Sequence, residues 1–151
     1  LLGTPRNVGT ISTKTKAKKM TKNFKISEFE CKGNLKGCEC KMTADVKNNL
    51  LKLAEQLQIL RDYLGVPIKI NSGFRCADYN DNFVNGAKHS QHKLGKAADI
   101  VAESKHPFEL YRLIDELIEM KILNFGGVGK YNTFTHVDTR DQKVRFDKTT
   151  K

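Results

Sequence analysis

Ser90-Gln91-His92-Lys93-Leu94-Gly95-Lys96-Ala97-Ala98-Asp99-Ile100-Val101 is the stretch on which the fold of this chain turns. It begins polar, passes Gly95, and enters an apolar run, Ala97 to Ala102, that reads as a buried strand. A carboxylate buried there without a partner is costly, so Asp99 calls for a cation or for hydrogen-bond donors. His92 stands shortly before it. Gly95 lets the chain turn tightly between the two, and Ala97 and Ala98 leave room for close backbone approach. Far downstream, Phe134-Thr135-His136-Val137-Asp138 alternates like a strand, which places Phe134, His136 and Asp138 on one face. His92, Asp99 and His136 together have the chemistry of a zinc site. Three protein ligands leave a fourth position for water or substrate, the mark of catalytic rather than structural zinc. The competing reading makes each histidine an ordinary core or surface residue and pairs Asp99 with a lysine.

Outward from this stretch, the clearest helix precedes it. Thr43 can cap its N-terminus, and Val46, Leu50, Leu53, Leu57, Leu60 and Leu64 recur at three- and four-residue spacing, a core-packing stripe. Gly65 and Pro67 end it, and Ile68-Lys69-Ile70 alternates like a strand. Residues 72–96 show no sustained period, and a loop of that length in a small domain is usually functional. Pro107 opens a second amphipathic helix carrying Leu110, Leu113, Ile114, Leu117 and Ile118. Residues 126–131 and 133–139 read as two strands joined at Asn132, and Val144-Arg145-Phe146 as one more edge. Helices set apart from a run of strands predict a single α+β domain: an antiparallel sheet with helices packed on it and the metal site in a cleft.

At 151 residues the chain is long enough for one real core, and 38% hydrophobic with 29% charged residues describes a soluble globular protein. No apolar run approaches the ~20 residues of a membrane span. The net charge of +10 suggests nucleic acid until it is located. Residues 1–25 hold seven Lys/Arg and no acid, whereas the rest carries 20 Lys/Arg against 17 Asp/Glu. Basicity thus belongs to a leader, assigned to residues 1–22, with the domain over 23–151. Such a leader reads as a solvated segment or as one drawn to an anionic polymer. The domain lacks the basic-aromatic interleaving of a nucleic-acid binder, so no specific nucleic acid is expected. The start of the chain lacks a signal peptide's pattern, which implies synthesis in the cytoplasm.

Ser72-Gly73-Phe74-Arg75, Ser90-x-His92-x-x-Gly95-x-Ala97-x-Asp99, Gly126-Gly127-Val128-Gly129 and His136-Val137-Asp138 occur in that order. The combination resembles the superfamily of zinc D-Ala-D-Ala carboxypeptidases and L-alanyl-D-glutamate endopeptidases, whose metal-site fold is shared with hedgehog. The likeness is greatest to its small phage and bacterial members and runs from about Phe24 to Arg145. It implies Zn2+ held by His92, Asp99 and His136, and peptidoglycan as the partner. It sets Arg75 in the place of the arginine that faces substrate, where a guanidinium can grip a carboxylate or stabilise an oxyanion. Ser90 becomes a candidate for bonding substrate or the metal-site loop. Several members place Glu or Asp three residues before the last histidine ligand; here that residue is Thr133. Asp138 is then the leading general base, unless it orients His136 or pairs with Arg140. His89 is the next candidate, and His106 is expected outside the site. The implied function is hydrolysis of peptidoglycan peptide bonds by a monomer acting at the cell wall, as a phage endolysin. The alternatives are a silent zinc-containing wall-binding module and a virion-associated domain.

Cys31, Cys38, Cys40 and Cys76 admit three readings: a structural zinc held by all four thiolates, one or two disulfides formed after release from the cell, or unlinked buried thiols. Their spacing departs from paired C-x-x-C knuckles, so sequence leaves the three open.

Overall fold

The computed structural model describes residues 19–33 and 40–151. Cys38 and residues 1–18 of the leader lie outside them. Of the residues assigned to the leader by composition, 19–22 are described, and Thr21 is bonded to the first long helix. The Thr21 hydroxyl meets Gln58 Oε1 at 2.8 Å, and the Asn23 backbone N–H reaches the same oxygen at 2.8 Å.

The first long helix, α1, runs Ala44–Leu64. The Thr43 hydroxyl accepts the Val46 N–H at 3.2 Å and so satisfies one of the donors that every helix start leaves over. Val46, Leu50, Leu53, Ala54, Leu57 and Leu60 are buried, as their spacing predicts. At the far end Gly65 takes a left-handed conformation and donates to the Arg61 carbonyl. The second helix, α2, runs Pro107–Glu119. His106 caps it: its Nδ1 accepts the Phe108 N–H at 3.1 Å, while Glu109 reaches back to the His106 N–H at 3.0 Å. Leu110, Ile114 and Leu117 turn inward.

Five strands form one sheet: β1 (Ile68–Ser72), β2 (Ala97–Ala102), β3 (Gly127–Lys130), β4 (Thr135–Asp138) and β5 (Val144–Asp147), in the order β1-β2-β4-β3-β5. The expected antiparallel sheet needs one correction, because β3 and β5 pair in parallel. β4 already has β2 on one edge and β3 on the other. The strand that follows it pairs with the nearer free edge, the outer edge of β3, and reversing from β4 makes it parallel there. The link to β5 therefore hops over the start of β3 at Gly126, where a Cβ would run into the Arg140 carbonyl and come within 2.6 Å of that of Gln142. A Gly126→Ala variant is expected to lose about 1–3 kcal/mol of stability, read as a lower urea midpoint at unchanged slope.

Alternation divides the sheet's side chains. Ala98, Ile100, Val128 and Val137 join Leu50, Leu53, Leu57, Leu110 and Ile114 in one buried apolar cluster. The intervening positions point the other way. On that side one row crosses all five strands: Ser72 opposite Asp99, Asp99 opposite His136, His136 opposite Gly129, Gly129 opposite Phe146. A bulge between Ile70 and Ser72 sets the row by bringing Ser72, rather than Asn71, against Asp99.

Candidate metal centre

Asp99 and His136 face each other across β2 and β4, so their approach is a matter of register. His92 arrives from the 3₁₀ turn Gln91–Leu94. The Ser90 hydroxyl caps that turn by accepting the His92 N–H at 3.1 Å. Gly95 closes it with φ of 73°, a conformation that favours glycine, and sits directly against Val46 of α1. Ser90 thus has a backbone-capping role, although it also borders the cleft described below.

The three side chains are almost fully buried, at 3, 5 and 6% exposure for His92, Asp99 and His136. His92 Nδ1 lies 2.7 Å from the Gly73 carbonyl, which can only accept, so this nitrogen carries the proton. His136 Nε2 lies 2.7 Å from Asp138 Oδ2 and donates to it in the same way. In the neutral rings the remaining nitrogens, His92 Nε2 and His136 Nδ1, then present lone pairs, and each stands 3.2 Å from the same Asp99 Oδ1. Three lone pairs directed at one point repel unless protons or a cation lie among them. A tetrahedral ion with bonds of about 2.0 Å sets its ligand atoms about 3.3 Å apart, close to the observed separations. One donor atom from each residue lies within 4.8 Å of the other two. The donor set of two imidazoles and one carboxylate suits zinc, and the residues fit it.

Where protons rather than a cation lie among the three, burial works against ionisation of Asp99, but hydrogen bonds from His136 and His92 in their protonated forms outweigh it and hold the carboxyl well below the usual range. Burial likewise opposes the charged form of His136, while Asp138 and Asp99 draw its pKa upward. The two shifts are two sides of one pairing, in which carboxylate and imidazole each stabilise the other's charged form.

Asp138 is completely buried and fully engaged. Its Oδ1 accepts from the Gly127 N–H at 3.0 Å and Arg140 Nε at 2.8 Å; its Oδ2 accepts from His136 and from Arg140 Nη2 at 2.7 Å. Burial alone would raise its pKa, but His136 and Arg140 lower it well beneath the ordinary range. A carboxylate so held has no free lone pair directed at a water. A carboxylate so placed is positioned to orient His136. Asp138→Asn is expected to weaken zinc retention about 10–100-fold, with activity returning at saturating zinc. A loss persisting at full zinc occupancy would restore Asp138 as the base. In the zinc-free protein the ionised carboxylate stabilises the fold fully above the ordinary carboxylate range, and that contribution disappears as pH falls through the lowered pKa. The acid limb of stability should therefore flatten in the variant.

Arg75 leaves β1 through Ser72-Gly73-Phe74 and is fixed from four sides. Its backbone N–H donates to the His92 carbonyl at 3.0 Å. Its Nε donates to Ser72 Oγ at 3.1 Å, Nη1 to Asn80 Oδ1 at 3.1 Å, and Nη2 to Asp99 Oδ2 at 3.2 Å. The guanidinium thus occupies the Asp99 oxygen that the two imidazoles do not. Asn80, buried in the irregular turn after Arg75, also donates to the Ala87 carbonyl at 2.9 Å and so ties Arg75 to the loop leading to His92.

The centre lies at the floor of a cleft of about 740 Å³. Residues 84–91, including exposed His89, form one wall. Tyr131, Phe134 and Phe146 form another, with Tyr131 stacked on Phe134 at 4.3 Å and Phe146 against His136 at 5.2 Å between ring centroids. Arg140 and Lys148 complete a cationic rim. Among the described residues, Asp99 is the sole carboxylate in the lining. His106 is absent from it and serves as the cap of α2. The spacing arguments set Phe134 on the face of His136 but missed Asn80, Tyr131 and Phe146. A polar residue in an irregular turn gives no periodic signal, and Phe146 is brought in only by the parallel pairing of β5.

Cys31, Cys40 and Cys76 occupy a separate place. Cys40 and Cys76 form a disulfide, and Cys31 is a buried thiol.

A family model described as peptidase M15 matches residues 22–138, and the chain belongs to that family. Over 117 residues it is 34% identical to the zinc D-Ala-D-Ala carboxypeptidase of Streptomyces albus G. The match covers 76% of this chain but 45% of that relative, so the chain spans less than half of the relative's length.

Proposed function

We propose that this domain is a zinc metallopeptidase that hydrolyses peptide bonds in bacterial peptidoglycan, with His92, Asp99 and His136 as ligands. The observation that carries the reading is the convergence of three lone pairs beside an immobilised guanidinium at the floor of an open cleft. When bound, zinc supplies Lewis acidity that polarises the scissile carbonyl and makes water a nucleophile near neutral pH. Asp138 fixes the ring of His136, and the Gly73 carbonyl fixes that of His92. Arg75, anchored by Ser72 and Asn80, stands ready for substrate carboxylate or for developing oxyanion charge. The cationic rim of Arg140 and Lys148 suits stem peptides that bear free carboxylates. The aromatic wall offers an apolar surface for short side chains and the methyl groups of alanine.

With Thr133 exposed and Asp138 engaged, His89 is the group on the cleft wall suited to carry the proton from water to the leaving amine. His89→Ala should lower kcat by about 10²–10³-fold and abolish the limb of the pH–rate profile belonging to the base, at unchanged zinc content. An unaltered profile would exclude it. The same shortage of an uncommitted carboxylate favours one second reading, a zinc-containing wall-binding module without turnover. Mass spectrometry of a defined muropeptide decides between them. Loss of terminal D-alanine marks a carboxypeptidase, scission within the stem or cross-link an endopeptidase, and binding with no product the silent module. A hedgehog-like metal-site fold and a role as phage endolysin or virion-associated domain belong to this reading through the resemblance of the motifs. No helix among the described residues is long and apolar enough to cross a membrane, consistent with action on the wall from solution.

A further inference from the structure

Cys31, Cys40 and Cys76 come together from three separate segments, and their sulfurs lie within 4.8 Å of one another. The disulfide uses two of them. The third, Cys31, has its Sγ 3.9 Å from Cys76 Sγ and is only 4% exposed. Around these sulfurs the backbone is arranged as donor. The N–H groups of Gly33 and Cys76 point at Cys31 Sγ at 3.4 and 3.5 Å, and the Tyr79 N–H points at Cys76 Sγ at 3.5 Å. A buried cysteine that merely fills space is met by apolar groups. Here backbone N–H groups face the sulfurs instead. Tetrahedral zinc with bonds of about 2.3 Å to sulfur sets the sulfurs about 3.8 Å apart, which the Cys31–Cys76 separation matches.

We propose that, once the disulfide is reduced, Cys31, Cys40 and Cys76 form a second zinc site that pins the N-terminal loop to the segment carrying Arg75. A dithiol reductant takes the Cys40–Cys76 bond to two thiols and is itself oxidised to a cyclic disulfide. Zinc then displaces the three thiol protons and binds three thiolates, and the fourth position goes to water. The disulfide and the metal are alternative clamps on the same junction. That junction matters to the cleft because Cys76 directly follows Arg75, and the Phe74 N–H is bonded to the Phe29 carbonyl at 2.9 Å. The site is independent of the proposed peptidase centre, with which it shares no ligand.

The test is metal content of the full chain, purified under a dithiol reductant with zinc present and then exchanged into Co2+. Wild type should hold two equivalents of zinc, and its cobalt form should show the near-ultraviolet thiolate-to-cobalt charge-transfer absorption. Cys31→Ser should lose one equivalent together with that absorption. His92→Ala should also lose one equivalent but keep the absorption, which separates failure of this proposal from failure of the peptidase centre. One equivalent in wild type with no charge-transfer absorption, or two equivalents retained by Cys31→Ser, would overturn the proposal. Should Cys31→Ser not fold, the wild-type cobalt spectrum decides alone.

Discussion

Asp99→Ala is expected to purify without stoichiometric zinc at the cleft and to lose peptidoglycan hydrolysis by three orders of magnitude or more. The oxygen removed is the one on which both imidazoles converge, and the same carboxylate anchors Arg75. Removing one partner from a buried charge cluster typically costs about 3–5 kcal/mol, equivalent to roughly 10²–10³-fold or more in an affinity. A thermal readout checks this without any assay of turnover. A ligand at 100 times its Kd stabilises the native state by about 2.7 kcal/mol. Added zinc should therefore raise the Tm of wild type at the cleft centre, in a background with the cysteines oxidised, and leave Asp99→Ala unmoved. Equal shifts in the two proteins would place the metal elsewhere.

Arg75→Lys is expected to lower kcat by about 10²–10³-fold while zinc content stays at the wild-type level. An ammonium is a single point charge and cannot span Ser72, Asn80 and Asp99 as the planar guanidinium does. It would stay with Asp99 and withdraw from substrate. Arg75→Ala should have at least as large an effect and should leave Asp99 Oδ2 bare. Steady-state kinetics on a defined muropeptide, with metal analysis of the same preparation, separates loss of catalysis from loss of zinc. Unchanged kcat in Arg75→Lys would reduce Arg75 to a structural partner of Asp99.

Much of this arrangement was legible in the residues because it rests on periodicity and on the cost of buried charge. The stripe from Val46 to Leu60 and the caps at Thr43 and Pro107 announce α1 and α2. A lone aspartate in Ala97–Ala102 announces a buried partner for itself, and His136 alternates into reach of it. The parallel pairing of β5 was not legible, because a strand's own pattern does not say which neighbour has a free edge. That pairing brings Phe146 over Gly129 and against His136. The engagement of Asp138 was half legible. Its shared face with His136 and a pairing with Arg140 were evident, but its closure by the Gly127 N–H depends on how β3 lies beside β4. Asn80 was invisible, since a residue of an irregular turn is placed by contacts and not by pattern. The thiols were countable, yet their meeting point follows only once Cys76 is carried beside Arg75 to the loop after Phe29.

The most direct measurement is the release of peptide fragments or D-alanine from a defined muropeptide by the purified protein, followed through removal of zinc with a chelator and its return. We expect turnover in the zinc-loaded protein, its disappearance on chelation, and its recovery on restoring zinc, with none of the three in His92→Ala. Turnover that survives complete removal of the metal, or a fully zinc-loaded protein that binds the muropeptide and never cuts it, would contradict the assignment of His92, Asp99 and His136 as a hydrolytic centre.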